Sequence, residues 1–343
     1  PKDDKRLKIY NLEHISDPQA QVNLNHKATF SWDKINTNSL KFGLISKVNI
    51  NNQITKVRKK IEFPISSDEN IDYTLPTNFI DINTEIVNKT HELVEGEEDL
   101  YVAVFKIAEW VRTNIKYDLN TLTEKAVQKS SWVYANRYGV CDEITNLFIS
   151  MLRSIGIPAR FVSGTVYSNV GNEWGSHGWA EVYFPEYGWV PFDVTFGQYG
   201  WVDPSHLKLS DTADSGESSI EFNWRSRDVD LDIEPILMST KLDKLGEKFS
   251  PLFDIKINTL NDNKFAFGSY VPIEVIVTNL NDYYLSSIIT LTKTPELTGD
   301  NFKDILLKPK ETKSYYFIGK FQDNLSKNYE YTGVIEAKES VNQ

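Results

Sequence analysis

The chain of 343 residues has room for two or three domains at ~100 to 200 residues each, and its 40% hydrophobic and 25% charged content suits a folded, water-facing protein. With 37 Lys+Arg against 48 Asp+Glu the net charge is -11, which removes any general attraction to a phosphate backbone, so nucleic acid is not an expected partner. No apolar run is long enough to predict a transmembrane segment. The single cysteine, Cys141, forbids an intrachain disulfide and carries no redox evidence for secretion. The start at Pro1, without Met or the n- and h-regions of a signal peptide, is expected of a processed or trimmed form.

Taken in chain order, residues from Gln21 to Tyr73 alternate apolar and polar, as in Leu40, Phe42, Leu44 and Val48, Ile50, which predicts antiparallel β structure. Within it Lys56, Arg58, Lys59 and Lys60 form the densest basic cluster, expected to be solvated surface on a strand. Between Asp81 and Tyr117 the period becomes helical, with Leu100, Val104, Ile107, Ala108, Val111 and Ile115 on one stripe. After Gly139-Val140-Cys141, the spacing of Ile144, Leu147, Phe148, Met151, Leu152 and Ile155 predicts an amphipathic helix, and Gly156-Ile157-Pro158 stops it.

The stretch from Ser168 to Ser176, with Gly171 and Gly175, has the composition of a short mobile lid. His177 to Phe184 reads as a strand, Pro185 to Gly188 as a turn and Trp189 to Thr195 as the antiparallel return. Ser210 to Ser219 reads as an exposed loop. From Phe253 onward Ile255, Ile257, Ile273, Val275 and Val277, then Tyr315, Phe317, Tyr329, Tyr331 and Val334, predict a C-terminal β-sandwich of immunoglobulin-like kind. The expected division is an N-terminal β domain over 1–80, a catalytic core over 81–245 and the sandwich over 246–343.

Cys141 falls at the predicted helix N-terminus, where free backbone N–H groups and the macrodipole favour a thiolate and could hold an oxyanion. The bland alternative is a small buried hydrophobe. If the hairpin pairs about Pro185, His177 lies opposite Asp193 and the two form a base and its orienter; if it pairs between Glu186 and Tyr187 they face opposite ways. Sequence leaves both registers open. A zinc site from Cys141, His177 and Asp193 has no supporting ligand spacing. His14, His26 and His91 are expected at the surface, and His206, after Trp201-Val202-Asp203-Pro204, beside the site in a structural role. Trp174, Trp179, Trp189 and Trp201 are candidate walls of a substrate groove, with Trp132 nearby.

Together these segments resemble the transglutaminase-like core, a papain-like Cys-His-Asp fold shared by transglutaminases, microbial cysteine proteases and peptide N-glycanases. The resemblance runs from about Asp81 to Leu209. It rests on Ala108-Glu109-Trp110-Val111 with Asn114-Ile115-Lys116-Tyr117, on Tyr138-Gly139-Val140-Cys141-Asp142-Glu143, on Leu152-Arg153-Ser154-Ile155-Gly156-Ile157-Pro158-Ala159-Arg160, and on the His177-Gly178-Trp179 and Gly188-Trp189-Val190-Pro191-Phe192-Asp193-Val194-Thr195 motifs. Gly178 stands where the family commonly has Ala, and Val194 where Pro often follows the aspartate.

The resemblance implies an α+β fold flanked by β domains, and a Cys141-His177-Asp193 triad attacking amide bonds of a protein or peptide substrate through a thioester. Water as acceptor makes a peptidase or deamidase, and an amine acceptor makes a protein-glutamine gamma-glutamyltransferase. It implies an oxyanion donor from an upstream side chain, Trp132 or Gln128. No cofactor is required by this chemistry, and calcium, which some relatives use, has no ligand motif here. The alternatives are a non-catalytic surface or adhesion module on the same fold, and a peptide N-glycanase-like deglycosylase. Papain-like cores between β domains suit an extracellular or cell-surface setting.

Overall fold

A computed structural model describes residues 6–25, 27–65, 69–119, 127–168, 173–216, 221–225, 231–234, 237–259, 264–326 and 328–341. Strand β1 (Leu7–Asp17) pairs antiparallel with β4 (Lys41–Ile50), and β2 (Gln21–Asn23) with β3 (Thr29–Ser31). Phe30, Trp32 and Phe42 cluster on this ribbon, with Phe30 and Phe42 centroids 5.2 Å apart.

The β pattern expected as far as Tyr73 ends at Ile50, and a strand the alternation did not announce precedes it at Leu7–Asp17. From Asn51 to Ile80 the described residues are irregular apart from an isolated bridge at Glu62 and a short 3-10 turn at Ile71–Thr74. The reason is tertiary: Val57, Ile61 and Ile80 are buried in the same core as the helices that follow, so packing rather than an extended ladder holds them. The basic cluster is therefore not on a strand, though it is at the surface, with Arg58, Lys59 and Lys60 paired to Asp282, Glu186 and Glu98.

The helical stripe forms two helices, α1 (Thr84–Val94) and α2 (Leu100–Asn114). Asn83 caps the first by accepting from the Ile86 N–H, and Asp99 caps the second by accepting from the Tyr101 N–H. Strand β5 (Lys116–Tyr117) follows, then the short α3 (Ser130–Asn136), then β6 (Tyr138–Gly139), which runs parallel to β5. Helix α4 (Cys141–Ser154) buries Ile144, Leu147, Phe148, Met151 and Leu152 and ends where Gly156 takes a left-handed φ of 78°.

A five-stranded antiparallel sheet then assembles in the order β10-β9-β8-β7-β11. Its members are β7 (Ala159–Ser168), β8 (Glu173–Phe184), β9 (Gly188–Asp193), β10 (Gln198–Tyr199) and β11 (Leu207–Thr212). Ala180, Val182, Phe184 and Phe192 join the helices in one core, whereas Trp179, of opposite parity, packs with Val162 and Val202 in a separate cluster. Much of the expected lid is strand: Glu173 to Ser176 belong to β8, and 169–172, including Gly171, lie outside the described residues. The loop expected from Ser210 is likewise strand as far as Thr212, and Asp214 is buried against the Phe79 N–H; 217–219 lie outside the described residues.

The C-terminal region adds β12 (Phe253–Thr259), β13 (Tyr270–Asn279), β14 (Leu285–Lys293), β15 (Leu297–Gly299), β16 (Phe302–Leu307), β17 (Thr312–Phe321) and β18 (Ile335–Glu339). They form sheets of order β12-β13-β17-β15 and β16-β14-β18 around a shared core that includes Ile273, Val275, Val277, Ile289 and Phe317. Tyr329, Tyr331 and Val334, read as strand, are exposed and precede β18: with no buried face to line, their alternation selects no ladder. This region is joined to the core by a two-toothed Arg112–Asp304 bridge at 2.9 and 3.0 Å and by the Tyr284 hydroxyl donating to Asp99 at 2.5 Å. No helix of the described residues is long and apolar enough to cross a membrane.

Candidate active site

Cys141 is the first residue of α4, so its side chain leaves the helix where the first-turn N–H groups have no intrahelical acceptor. Buried Glu143, three residues from the cap, turns back to accept from the Val140 N–H at 3.0 Å and the Gln128 N–H at 2.9 Å, which pins the start of the helix and the segment before it. The thiol is part-exposed and donates to Asp142 Oδ1 at 3.5 Å.

The hairpin adopts neither register considered from sequence. Ala180 pairs with Phe192, Val182 with Val190 and Phe184 with Gly188, so the hairpin is centred on Glu186, which takes a positive φ of 70°. Extending that register sets Asp193 opposite Trp179, with His177 two residues on and on the same face: a diagonal pair rather than a directly opposed one. His177 Nε2 meets Asp193 Oδ2 at 2.6 Å, both side chains being buried.

Burial alone would lower the His177 pKa, but the charge and hydrogen bond of Asp193, with a further hydrogen bond to Cys141, raise it to about 9. The same contacts outweigh burial at Asp193 and hold its carboxylate well below the ordinary range. Asp193 Oδ1 is also saturated, accepting from the N–H groups of Thr195 at 2.8 Å and Phe196 at 3.0 Å. Cys141, His177 and Asp193 are thus brought together from a helix start and two strands.

His206, expected only to pack nearby, is fully buried and bonded into this group. Its Nε2 meets the same Asp193 Oδ2 at 2.9 Å, and its Nδ1 meets Asp203 Oδ1 at 3.2 Å. The one sequence signal was an Asp three residues before a His, too common to be read alone. His177, Asp193 and His206 place three metal-ligand-type atoms within 4.8 Å of one another, but each is already in hydrogen-bond contact with another of the three.

The other candidates divide. Trp179 and Trp201 are buried, each 1% exposed, and cannot line an open groove; Trp179 stacks on His177, and Trp201 donates from Nε1 to the Ser286 carbonyl in the C-terminal core. Large flat side chains suit such interiors as well as grooves, which is why composition misplaced them. Trp189 lies at the far end of the hairpin, under the Arg160 guanidinium at 4.3 Å and against Tyr73. Trp174 is half-buried beside Tyr167. Trp132 packs edge-on to Tyr138, and Gln128 is held through its backbone by Glu143. The side chain that does sense the site is Tyr117: burial raises its pKa to about 12, with further contributions from the charges of Cys141, Asp142 and Asp193. His14 and His91 are exposed as expected, and His26 lies outside the described residues.

Gly178 explains a departure from the family pattern. A Cβ there would fall on Phe161 Cζ and 2.6 Å from Asp142 Oδ1, so the space an alanine methyl would need is occupied by the residue after the nucleophile.

Residues 87–194 match the family model described as the transglutaminase-like superfamily. That segment, about a third of the chain, is a transglutaminase-like superfamily domain. The matched segment contains Cys141, His177 and Asp193. The chain is 28% identical over 178 residues to the uncharacterised protein YebA of Bacillus subtilis, and 30% identical over 127 residues to the uncharacterised protein ML0607 of Mycobacterium leprae. These alignments cover 46% and 35% of this chain and only 23% and 43% of those proteins, so the chain spans less than half the length of either relative. Among solved structures, a candidate cysteine protease of Cytophaga hutchinsonii aligns at 17% identity with a TM-score of 0.48, covering 63% of this chain and 75% of that one.

Proposed function

We propose that this chain is a cysteine-nucleophile enzyme that cleaves or transfers the acyl group of amide bonds in peptides or proteins. The observation that carries the reading is the buried 2.6 Å contact of His177 with Asp193, beside a thiol at the first position of a helix. In this reading the Cys141 thiolate attacks the amide carbonyl carbon, and the first-turn N–H groups of α4 face the developing oxyanion. The His177 imidazolium gives its proton to the leaving nitrogen as the C–N bond breaks, leaving a thioester and a neutral imidazole. Neutral His177 then removes a proton from water or an amine, which displaces the sulfur and regenerates the ion pair. Asp193 orients the ring and balances its charge throughout. No metal or organic cofactor enters these steps.

The flanking sheets, read as an N-terminal β unit and an immunoglobulin-like sandwich, would then serve substrate presentation or placement. The test is iodoacetamide alkylation of the native protein from pH 5 to 9, followed by mass, with His177→Ala and Asp193→Ala as controls. Labelling at mildly acidic pH that slows in both variants supports the triad and justifies assays with glutamine peptides, amine acceptors, unmodified peptides and glycopeptides. Labelling indifferent to both substitutions sinks it and leaves a binding module.

A further inference from the structure

His206 has carboxylate oxygens against both ring nitrogens, Asp193 Oδ2 at 2.9 Å and Asp203 Oδ1 at 3.2 Å. An ionised carboxylate only accepts, so a neutral imidazole, which donates from one nitrogen alone, would set a lone pair against one of the two; only the imidazolium satisfies both. Asp203 is itself fixed, its Oδ1 accepting from the Ser205 N–H at 2.7 Å and its Oδ2 from Gln198 Nε2 at 2.7 Å. Arg6, at the start of the described chain, donates to the backbone carbonyls of Asp203 at 2.8 Å and His206 at 3.1 Å and so ties down the turn that carries both.

Among the described residues the ring's aromatic neighbours are His177, with centroids 5.6 Å apart, and the rings of Trp179 at 5.3 Å and Phe196 at 5.5 Å. With both histidines protonated and both aspartates ionised, each imidazolium is matched by a carboxylate, Asp193 buried and Asp203 half-buried, while Cys141 and Asp142 face His177 from the start of α4. Burial works against the His206 charge, but the two carboxylates overcome it and raise its pKa to about 9.

We propose that His206 is a positioning residue for the nucleophile site: as an imidazolium bridging Asp193 and Asp203, it locks the carboxylate that faces His177 and draws off part of its charge, and so sets how tightly His177 holds its proton. The inference rests on the Cys-His-Asp reading above. A carboxylate left to His177 alone, without the nearby cation, would hold the His177 proton more tightly. The imidazole would then surrender it, and act as a base in thioester breakdown, only at higher pH.

The experiment is a nitrogen-15 NMR titration of the histidine side chains in the whole chain, with Cys141 alkylation rates measured in parallel. In the unmodified protein His206 is expected to show two ring N–H groups at pH 7. In His206→Gln, whose amide still fills the space and donates to Asp193, the pH at which His177 deprotonates is expected to rise by about one unit. Asp203→Asn, which keeps the imidazole and weakens its charge, should move His177 the same way by less, and it decides the matter if the first variant does not fold. A purely structural role would lower the melting temperature and leave His177 unmoved. A neutral His206 at pH 7, or an unchanged His177 in a folded variant, overturns the proposal. Alkylation in the parent protein that ignores His177→Ala overturns the triad instead, whatever His206 does.

Discussion

The transglutaminase-like core and the C-terminal sheets bury polar groups in different ways. The core encloses Glu143, Arg153, His177, Asp193 and His206, whereas the interior of the C-terminal sheets holds neutral groups, Asn279, Ser286 and Ser287. Asn279 is satisfied by three backbone carbonyls, those of Tyr283, Leu307 and Lys308, and so closes a turn. Asp304, the buried carboxylate of that region, is answered by Arg112 of the core. A buried charge costs several kcal/mol unless it is paired and bonded, so its concentration in one region marks where the fold is constrained by something other than packing. In the core His177 and His206 converge on Asp193, while Glu143 and Arg153 bond backbone groups.

Breaking that convergence has the largest expected effect. Asp193→Asn leaves two imidazoles without their shared anion. It should lower any amide-bond activity roughly 10⁴-fold and stability by about 3 to 5 kcal/mol, read by substrate turnover and denaturant melts. A melt unchanged from the parent would mean that the cluster is not a buried charge network. Arg112→Ala tests the seam between the two regions: stranding Asp304 should cost about 3 kcal/mol, and amide exchange should show β14 and β16 opening before α4.

The pH dependence separates the regions without a mutation. His177 and His206 have folded pKa values of about 9, above the ordinary histidine value, so their contribution is complete below about pH 6.5 and lost as pH rises through about 9. Asp193 and Asp203 are held below the ordinary carboxylate range, so their contribution is complete above about pH 4 and lost as pH falls further. Amide-exchange opening energies in β8 and β9 should therefore fall between pH 6.5 and 9, while those in β13 stay level. A parallel fall in β13 would show that the two regions unfold as one. The smallest expected effect is steric: Gly178→Ala should cost about 1 to 3 kcal/mol, recovered in part by shortening Asp142, and a denaturant midpoint equal to the parent's would show that Phe161 yields freely.

What was legible in the sequence was whatever depends on local periodicity and chain punctuation. The helix from Cys141 to Ser154 declares itself by a 3.6-residue apolar stripe and a stop signal, and the strands of the hairpin by β-rich runs around a turn. The residue types of the proposed triad are readable because each sits at an element boundary or in such a run. The end of β structure at Ile50 was not legible, because Val57, Ile61 and Ile80 carry the same apolar spacing whether they join a ladder or pack beneath helices. Nor were the interior places of Trp179 and Trp201, since an aromatic face serves a core and a groove alike.

Sequence by itself determined the helix that presents Cys141 and the superfamily motifs around it, because hydrogen bonds within a helix and the cap at its end involve residues a few positions apart. Only the tertiary structure decided the hairpin register centred on Glu186, the placing of Tyr117 near the thiol and the convergence of His177 and His206 on one oxygen of Asp193. Those depend on which strands pair and which loop folds back over the sheet, and the free energy of burying charges together is set by partners that local sequence does not specify.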